Sequence, residues 1–282
     1  FPRQGAQAVG MGRELYERSP TARSVFDEVD SALGRSLTQV LFEGPEDELR
    51  QTANAQPAIM AVSLACALAI EEQLGEKATP QPTMMAGHSL GEYTALAVAG
   101  VLSVADTARL VSARGELMQD ACDRNPGTMA AVLGLDEMTM EEIARETGTY
   151  VSNVNTAEQI VISGERIAVA RTLDLATARG AKKVIPLRVG GAFHSGLMEP
   201  ARAGLIELVN SLPFSAPKVP IIANYTGEPL TTADSVKREL VAQICGCVQW
   251  KRSIDYMVGS GVANFIEVGP GKALSGMVKR IS

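Results

Sequence analysis

The chain has 282 residues, 46% hydrophobic and 21% charged, which suits a globular protein with one α/β domain and room for a small insert. Lys plus Arg number 26 against 32 Asp plus Glu, so the net charge is −6 and the basic excess of a nucleic-acid binder is lacking. The two histidines and four cysteines (Cys66, Cys122, Cys245 and Cys247) show neither paired metal-ligand spacing nor a disulfide framework.

No run of eighteen apolar residues and no signal peptide is visible. These readings predict a cytoplasmic protein without a membrane span, metal or cofactor. The sequence begins at Phe1 rather than Met, and a short first strand is expected to precede it.

Phe1 to Gly12 reads as a Gly-rich loop leading to a helix near Arg13, without a phosphate-cradling pattern. Ser19-Pro20 opens a helix to about Leu33, and Gly44-Pro45-Glu46-Asp47-Glu48 opens another with acidic residues in its first turn. Asn54–Leu74 reads as a long Ala-rich helix with Pro57 near its start. Gly75–Pro82 is a polar loop feeding a short buried strand, Met84–Ala86.

Gly87-His88-Ser89-Leu90-Gly91 then fits G-x-S-x-G, with a helix predicted over Glu92–Ala99. A nucleophile elbow requires this strand–turn–helix context. Ser89 would sit at the apex, at a helix N-terminus that favours developing negative charge.

Ser103 caps a helix to about Ala121. On its wheel Arg114 lies three or four residues from Leu110, Val111, Leu117 and Met118, so it shares their apolar stripe, whereas Arg109 falls on the polar side. A buried arginine needs a partner. Either an internal carboxylate pairs with Arg114, or the side chain is a fork-shaped clamp whose partner arrives with an anionic substrate.

The pattern changes at Gly127. Strands are predicted at Met129–Leu133, Tyr150–Asn153, Gln159–Ser163 and Lys183–Val189, with helices at Met138–Glu146 and Arg166–Arg179. This β-α-β-β-α-β order is the ferredoxin-like arrangement. The predicted organisation is an α/β hydrolase-like large domain with a parallel-sheet core, residues 1–126 and 194–282, and a small ferredoxin-like subdomain, residues 127–193.

Helices follow at about Ala201–Leu212, Ser235–Ile244 and Ile254–Gly259. Strands are expected at Val219–Ala223 and, buried, at Asn264–Val268. Gly269-Pro-Gly-Lys turns into a last helix ending in Lys279-Arg280.

A serine nucleophile needs a base, most often histidine. His88 adjoins Ser89 at a strand end and points to the other side, which leaves it a packing role; His194, in a Gly-flanked loop, is the base. The backbone N–H of Leu90 would supply one oxyanion donor and the loop around Gln4 and Gly5 the second. No Asp or Glu stands at a telling position for a third triad member.

Five ordered motifs covering nearly the whole chain resemble the malonyl-CoA:acyl-carrier-protein transacylases. They are Phe1-Pro-x-Gln-Gly-x-Gln7, Gly87-His-Ser-Leu-Gly-Glu92, Ala192-Phe-His-Ser195, Val248-Gln-Trp250 and Glu267-Val-Gly-Pro-Gly271. The resemblance implies that Ser89 takes malonyl from malonyl-CoA as an ester, with His194 as base, and passes it to the phosphopantetheine thiol of acyl carrier protein. It makes Arg114 the clamp for the malonyl carboxylate and Gln4 and Leu90 the frame of the oxyanion hole. Gln249 becomes the residue whose main-chain carbonyl supports the histidine in a Ser–His dyad, and Gln56 and Asn155 line the pocket.

Ala-Phe-His-Ser resembles the malonyl-selective members, and the separate look of the chain favours fatty-acid over polyketide synthesis. A monomer is expected. Arg3 departs from the family's usual Phe-Pro-Gly-Gln-Gly and would strain the loop if that position needed φ > 0. Two other readings are a serine hydrolase or thioesterase and a non-catalytic carrier-docking subunit. For docking, Lys182, Lys183, Lys279 and Arg280 are candidates that read more readily as solvated faces.

Overall fold

The computed structural model describes residues 1–75 and 77–282; Glu76, inside the predicted Gly75–Pro82 loop, lies outside them. Five helices come first: α1 (Arg13–Arg18), α2 (Pro20–Leu33), α3 (Leu37–Glu43), α4 (Glu46–Arg50) and α5 (Thr52–Leu74). Next come α6 (Leu90–Val98) and α7 (Val104–Arg124). The ends of α2 are written in the sequence: the Ser19 hydroxyl accepts from the Ala22 N–H, Pro20 occupies the first turn and Gly34 closes the helix in the left-handed region. Helix α3, a two-turn element capped by Ser36, is not among the predicted helices.

Helix α5 is apolar all round, as suits a helix enclosed by others. It is long and apolar enough to cross a membrane, but Ala58, Ile59, Met60, Ala61 and Ala65 are buried in a core shared with α2, α6, α7 and the later α10 (Glu199–Ser211). Pro57 is not in its first turn, because the helix begins at Thr52. Proline's missing N–H frees the carbonyl four residues back. The Arg35 guanidinium donates to that carbonyl, of Ala53, at 3.3 Å.

Residues 128–186 form β1 (Thr128–Leu133), α8 (Glu137–Thr147), β2 (Tyr150–Thr156), β3 (Gln159–Gly164), α9 (Arg166–Ala178) and β4 (Lys183–Pro186). The sheet has the order β2-β3-β1-β4 with every pair antiparallel. Alternating side chains separate its two faces. Ala130, Val132, Ile160 and Ile162 pack on Met140 and Ile143 of α8 and Val169 and Ala176 of α9, while Met129, Ala131 and Val161 join the core of the helical body. Burial on both faces explains why these strands read as short apolar runs.

The chain returns through a 3₁₀ turn (Gly196–Met198), α10, β5 (Ile221–Ile222), β6 (Pro229–Leu230), α11 (Ala233–Gln243), α12 (Trp250–Gly259) and α13 (Ala273–Ile281). The expected parallel-sheet core is here much reduced. Met84–Ala86 and Val219–Ala223 meet in a single parallel bridge, Met85 to Ile221, and only Ile221–Ile222 forms a strand, antiparallel to β6. The buried strand expected at Asn264–Val268 is not present: the segment is irregular and Ile266 is 66% exposed. Proline accounts for part of this shortness, since Pro80 and Pro82 precede one pairing segment, Pro220 lies within the other with no N–H to donate, and Pro186 ends β4 short of the predicted Val189.

A candidate active site at the Ser89 elbow

Gly87 and Gly91 are glycine because the turn brings backbone onto backbone. A Cβ on Gly87 would lie 1.9 Å from the Gly91 carbonyl, and one on Gly91 would lie 2.1 Å from the Phe1 carbonyl oxygen. Between them Ser89 takes φ 52°, ψ −106°, a conformation that L-residues hold only when their surroundings impose it. Two amide side chains do so. The Ser89 N–H donates to Asn224 Oδ1 at 2.6 Å, and Gln243 Nε2 donates to the Ser89 carbonyl at 3.0 Å.

His194 meets the serine from the opposite wall, with its Nε2 2.8 Å from Ser89 Oγ. It too has positive φ, 56°, in a turn pinned by the Ser195 hydroxyl, which donates to the Ala192 carbonyl at 2.5 Å. Nδ1–H donates to the main-chain carbonyl of Gln243 at 2.8 Å, so the Nε2 lone pair is the one that accepts from the serine hydroxyl. Burial, reinforced by the charge of Arg114, lowers the histidine pKa to about 4. The imidazole is therefore neutral at physiological pH and able to take a proton.

Arg114 is among the largest fully buried side chains of the described residues. Its Nη1 donates to Gln56 Oε1 at 2.6 Å; its Nη2 donates to Gln243 Oε1 at 2.9 Å and to Ser89 Oγ at 3.3 Å. Tyr93 lies beneath the guanidinium, 5.0 Å from the ring centre. Among the described residues no carboxylate comes within ion-pair distance of Arg114, and its Nε has no acceptor. Exposed Arg109, by contrast, pairs with Asp106 at 3.1 Å.

Behind the elbow lies buried Glu92. Its Oε1 accepts from the Asn224 N–H at 2.9 Å and Nδ2 at 3.3 Å, and its Oε2 accepts from Gln243 Nε2 at 2.5 Å. Burial, then the neighbouring Glu239, pushes the Glu92 carboxyl well above its usual range. Burial likewise raises Glu239 to about 7, although it accepts from the Tyr225 N–H at 2.7 Å.

The other expected residues fall in three places. Gln56 is at the site, on Arg114. Leu90 is the first residue of α6, so its N–H has no helical acceptor. Neither that N–H nor the one of Gln4 is engaged by a protein acceptor among the described residues. The Gln4 side chain donates to Thr52 Oγ1 at 3.3 Å. Asn155 is tied instead to His88, whose Nε2 is 2.9 Å from Asn155 Oδ1. His88 packs against Trp250, and burial lowers its pKa to about 3.

Gln249 is misplaced by the sequence reading. Its carbonyl is consumed by the first turn of α12, where the Ser253 N–H donates to it at 3.0 Å, and its side chain donates to Glu137. The carbonyl facing His194 belongs to Gln243, the last residue of α11, where a helix leaves its final carbonyls unpaired. Arg3 does not strain its loop: the positive φ falls on Gly5, 100°, while among the described residues only Ser89 and His194 are non-glycine residues with positive φ.

Asn224 and Gln243 were not picked out from the sequence. For Gln243 the signal existed, since Val236, Glu239, Leu240 and Gln243 form one buried stripe of α11, with two polar residues on it as Arg114 is on α7. Asn224 follows a two-residue strand and no periodicity marks it.

The pH profile should show the lowered histidine. Protonation removes the base, so kcat/KM for acyl transfer from a CoA thioester should fall as pH drops through about 4 and stay flat through 6.5, the ordinary imidazole value. A limb near 6.5 would contradict the buried, Arg114-facing environment.

A neutral histidine on a strained elbow serine, with the free backbone N–H of Leu90 next to it in the chain, defines a serine acyl-transfer centre. Residues 1–280 match the model of the acyl transferase domain family. The chain is 42% identical to a malonyl CoA-acyl carrier protein transacylase of Bacillus subtilis, over 100% of this chain and 89% of the relative. It superposes on an acyl-carrier-protein-S-malonyltransferase of Bartonella henselae with TM-score 0.95 and 44% identity, covering 100% and 91% of the two chains. It also superposes, with TM-score 0.94 and 37% identity over 100% and 91%, on a malonyl-transacylase solved with its type II PKS acyl-carrier protein. The chain belongs to the acyl transferase domain family, among the malonyl CoA-acyl carrier protein transacylases.

Proposed function

We propose that this chain moves the malonyl group of malonyl-CoA to the phosphopantetheine thiol of an acyl carrier protein through a malonyl ester of Ser89. One observation carries the reading: a fully buried arginine, without a carboxylate partner among the described residues, lies 3.3 Å from the nucleophilic oxygen. In a malonyl thioester the free carboxylate is one methylene from the carbonyl under attack. A cation that holds the first must therefore lie beside the atom that attacks the second, and Arg114 does.

His194 Nε2 takes the hydroxyl proton as Ser89 Oγ bonds to the thioester carbon. The N–H groups of Leu90 and Gln4 receive the charge on the carbonyl oxygen. Collapse breaks the carbon–sulfur bond, and the CoA sulfur leaves with the proton that His194 held. The carrier thiol then repeats the steps in reverse, giving its proton to His194 and returning Ser89 to its hydroxyl form. Arg114 exchanges its contact with Ser89 Oγ for the two carboxylate oxygens.

The reading treats residues 1–126 and 194–282 as a hydrolase-like α/β body and residues 127–193 as a ferredoxin-like subdomain. The β2-β3-β1-β4 order supports the latter. It also takes the chain as a cytoplasmic monomer that needs no metal or cofactor, with the carrier protein of fatty-acid synthesis as acceptor. Incubation with malonyl-CoA alone should add one malonyl mass to the intact protein and release one equivalent of free CoA thiol. An unmodified protein would defeat the reading, and CoA release in excess without a persistent adduct would favour hydrolysis.

A further inference from the structure

Glu92 takes no part in the chemistry just described, yet it is fully buried one turn from the nucleophile. Every partner its carboxylate has is an N–H donor, and both side chains it meets are amides of the site. Asn224, besides donating to Glu92, donates to the Gly87 carbonyl at 2.6 Å and accepts from the Ser89 N–H. Gln243 turns its Nε2 to Glu92 and the Ser89 carbonyl, which leaves Oε1 for Arg114. Burial raises the Glu92 carboxyl, yet only N–H donors reach its oxygens among the described residues, so it meets Gln243 as an acceptor, and an amide whose donor end is taken offers its acceptor end to Arg114.

We propose that Glu92 is a positioning residue that sets malonyl selectivity by holding the Gln243 amide in the orientation that keeps Arg114 aimed at the acyl group. The inference rests on the malonyl-transfer reading. Arg114 needs an acceptor on its inner side, because otherwise nothing keeps the outer face of the guanidinium toward a substrate carboxylate. Gln56 supplies one such acceptor and Gln243 the other, and only Gln243 is itself oriented by a carboxylate. Arg114 and Glu239 are the other charged groups around this chain of contacts.

Glu92→Gln keeps the shape and exchanges one oxygen for an NH₂. The remaining oxygen is best spent on Asn224, which brings two donors, so the new NH₂ faces Gln243 Nε2. Two donors then oppose each other, so only the Ser89 carbonyl still orients the Gln243 amide and its Oε1 is no longer held firmly on Arg114. The hold on Arg114 weakens, while the bond from the Ser89 N–H to Asn224 remains on the elbow. Gln243→Met cuts the same link from the other side and leaves the main-chain carbonyl of residue 243 for His194.

The experiment compares the rate of acyl-enzyme formation from malonyl-CoA with that from acetyl-CoA, for the wild type, Glu92→Gln, Gln243→Met and the double variant, with thermal unfolding of each. A hydrogen bond to a charged group is worth about tenfold or more, so each single variant should lower the malonyl-to-acetyl ratio about tenfold. The double variant should fall no further, because both changes break one link. A wild-type ratio in folded Glu92→Gln, equal losses for both substrates, or additive effects would overturn the proposal. If Glu92→Gln does not fold, an unchanged ratio in Gln243→Met overturns it. A wild-type protein that is not malonylated would instead remove the functional reading and leave this one without a substrate.

Discussion

Ser89→Ala will not acquire a malonyl group from malonyl-CoA, and transfer to a carrier thiol should fall roughly 10⁴- to 10⁶-fold, as when the nucleophile of a serine–histidine pair is removed. The site offers no substitute. Its other groups are a guanidinium, three amides and the imidazole, and among the described residues no cysteine belongs to its hydrogen-bond network. The substitution is also mild for the fold. Alanine retains the Cβ, and the bonds that hold the φ of 52° run through the main chain of residue 89 to Asn224 and Gln243. Intact mass and thermal unfolding together check this. A variant that still gains one malonyl mass would show that another residue is acylated. An unfolded variant would show that the elbow depends on the hydroxyl, contrary to the geometry.

The legible part of this site was the part with a local cause. The two glycines of the elbow sit at fixed offsets because sterics demand them, so Ser89 stands out from five residues. Arg114 stands out because a helix repeats every 3.6 residues and a charge on an apolar stripe breaks the pattern. His194 followed from having only two histidines and from the geometry that turns His88 away. Gln243 is different in kind. Its contact with His194 uses a main-chain carbonyl freed by the end of α11, and that role leaves no trace in residue type. Assigning it to Gln249, six residues on, was an error of register that only the helix boundary could resolve.

The same division runs through the fold. The four-stranded sheet was readable because each strand is a bounded apolar run separated by a helical period or a tight turn, and predicted and observed limits agree closely except that Pro186 ends β4 early and β2 runs on from Asn153 to Thr156. The pairing of segment 84–86 with segment 219–223 was not readable as it stands. Both are apolar enough for strands, but how far they hydrogen-bond depends on neighbours distant in sequence, and here a single bridge results. Asn264–Val268 looked buried because it is apolar, whereas alternate residues face outward and Ile266 is largely exposed.

Arg114→Ala should lower kcat/KM for malonyl transfer about 10²- to 10³-fold, the worth of two charge-assisted hydrogen bonds to a carboxylate, and lower acetyl transfer much less. The absolute rates will also carry a folding effect. Removal leaves Gln56 Oε1 and Gln243 Oε1 without their donor, at about 1–3 kcal/mol for each unsatisfied buried acceptor, and empties the space over Tyr93. The malonyl-to-acetyl ratio is the safer measure, since both substrates share that cost. A second readout is independent of substrate. Arg114 is the charge that, after burial, depresses His194, so its loss should raise the histidine pKa from about 4 toward 6.5. For the remaining acetyl transfer the acid limb should then move up in pH, because the base is protonated earlier on acidification. Equal losses for both substrates would show that Arg114 only supports the pocket. An acid limb that stays near 4 would show that burial alone keeps the imidazole neutral.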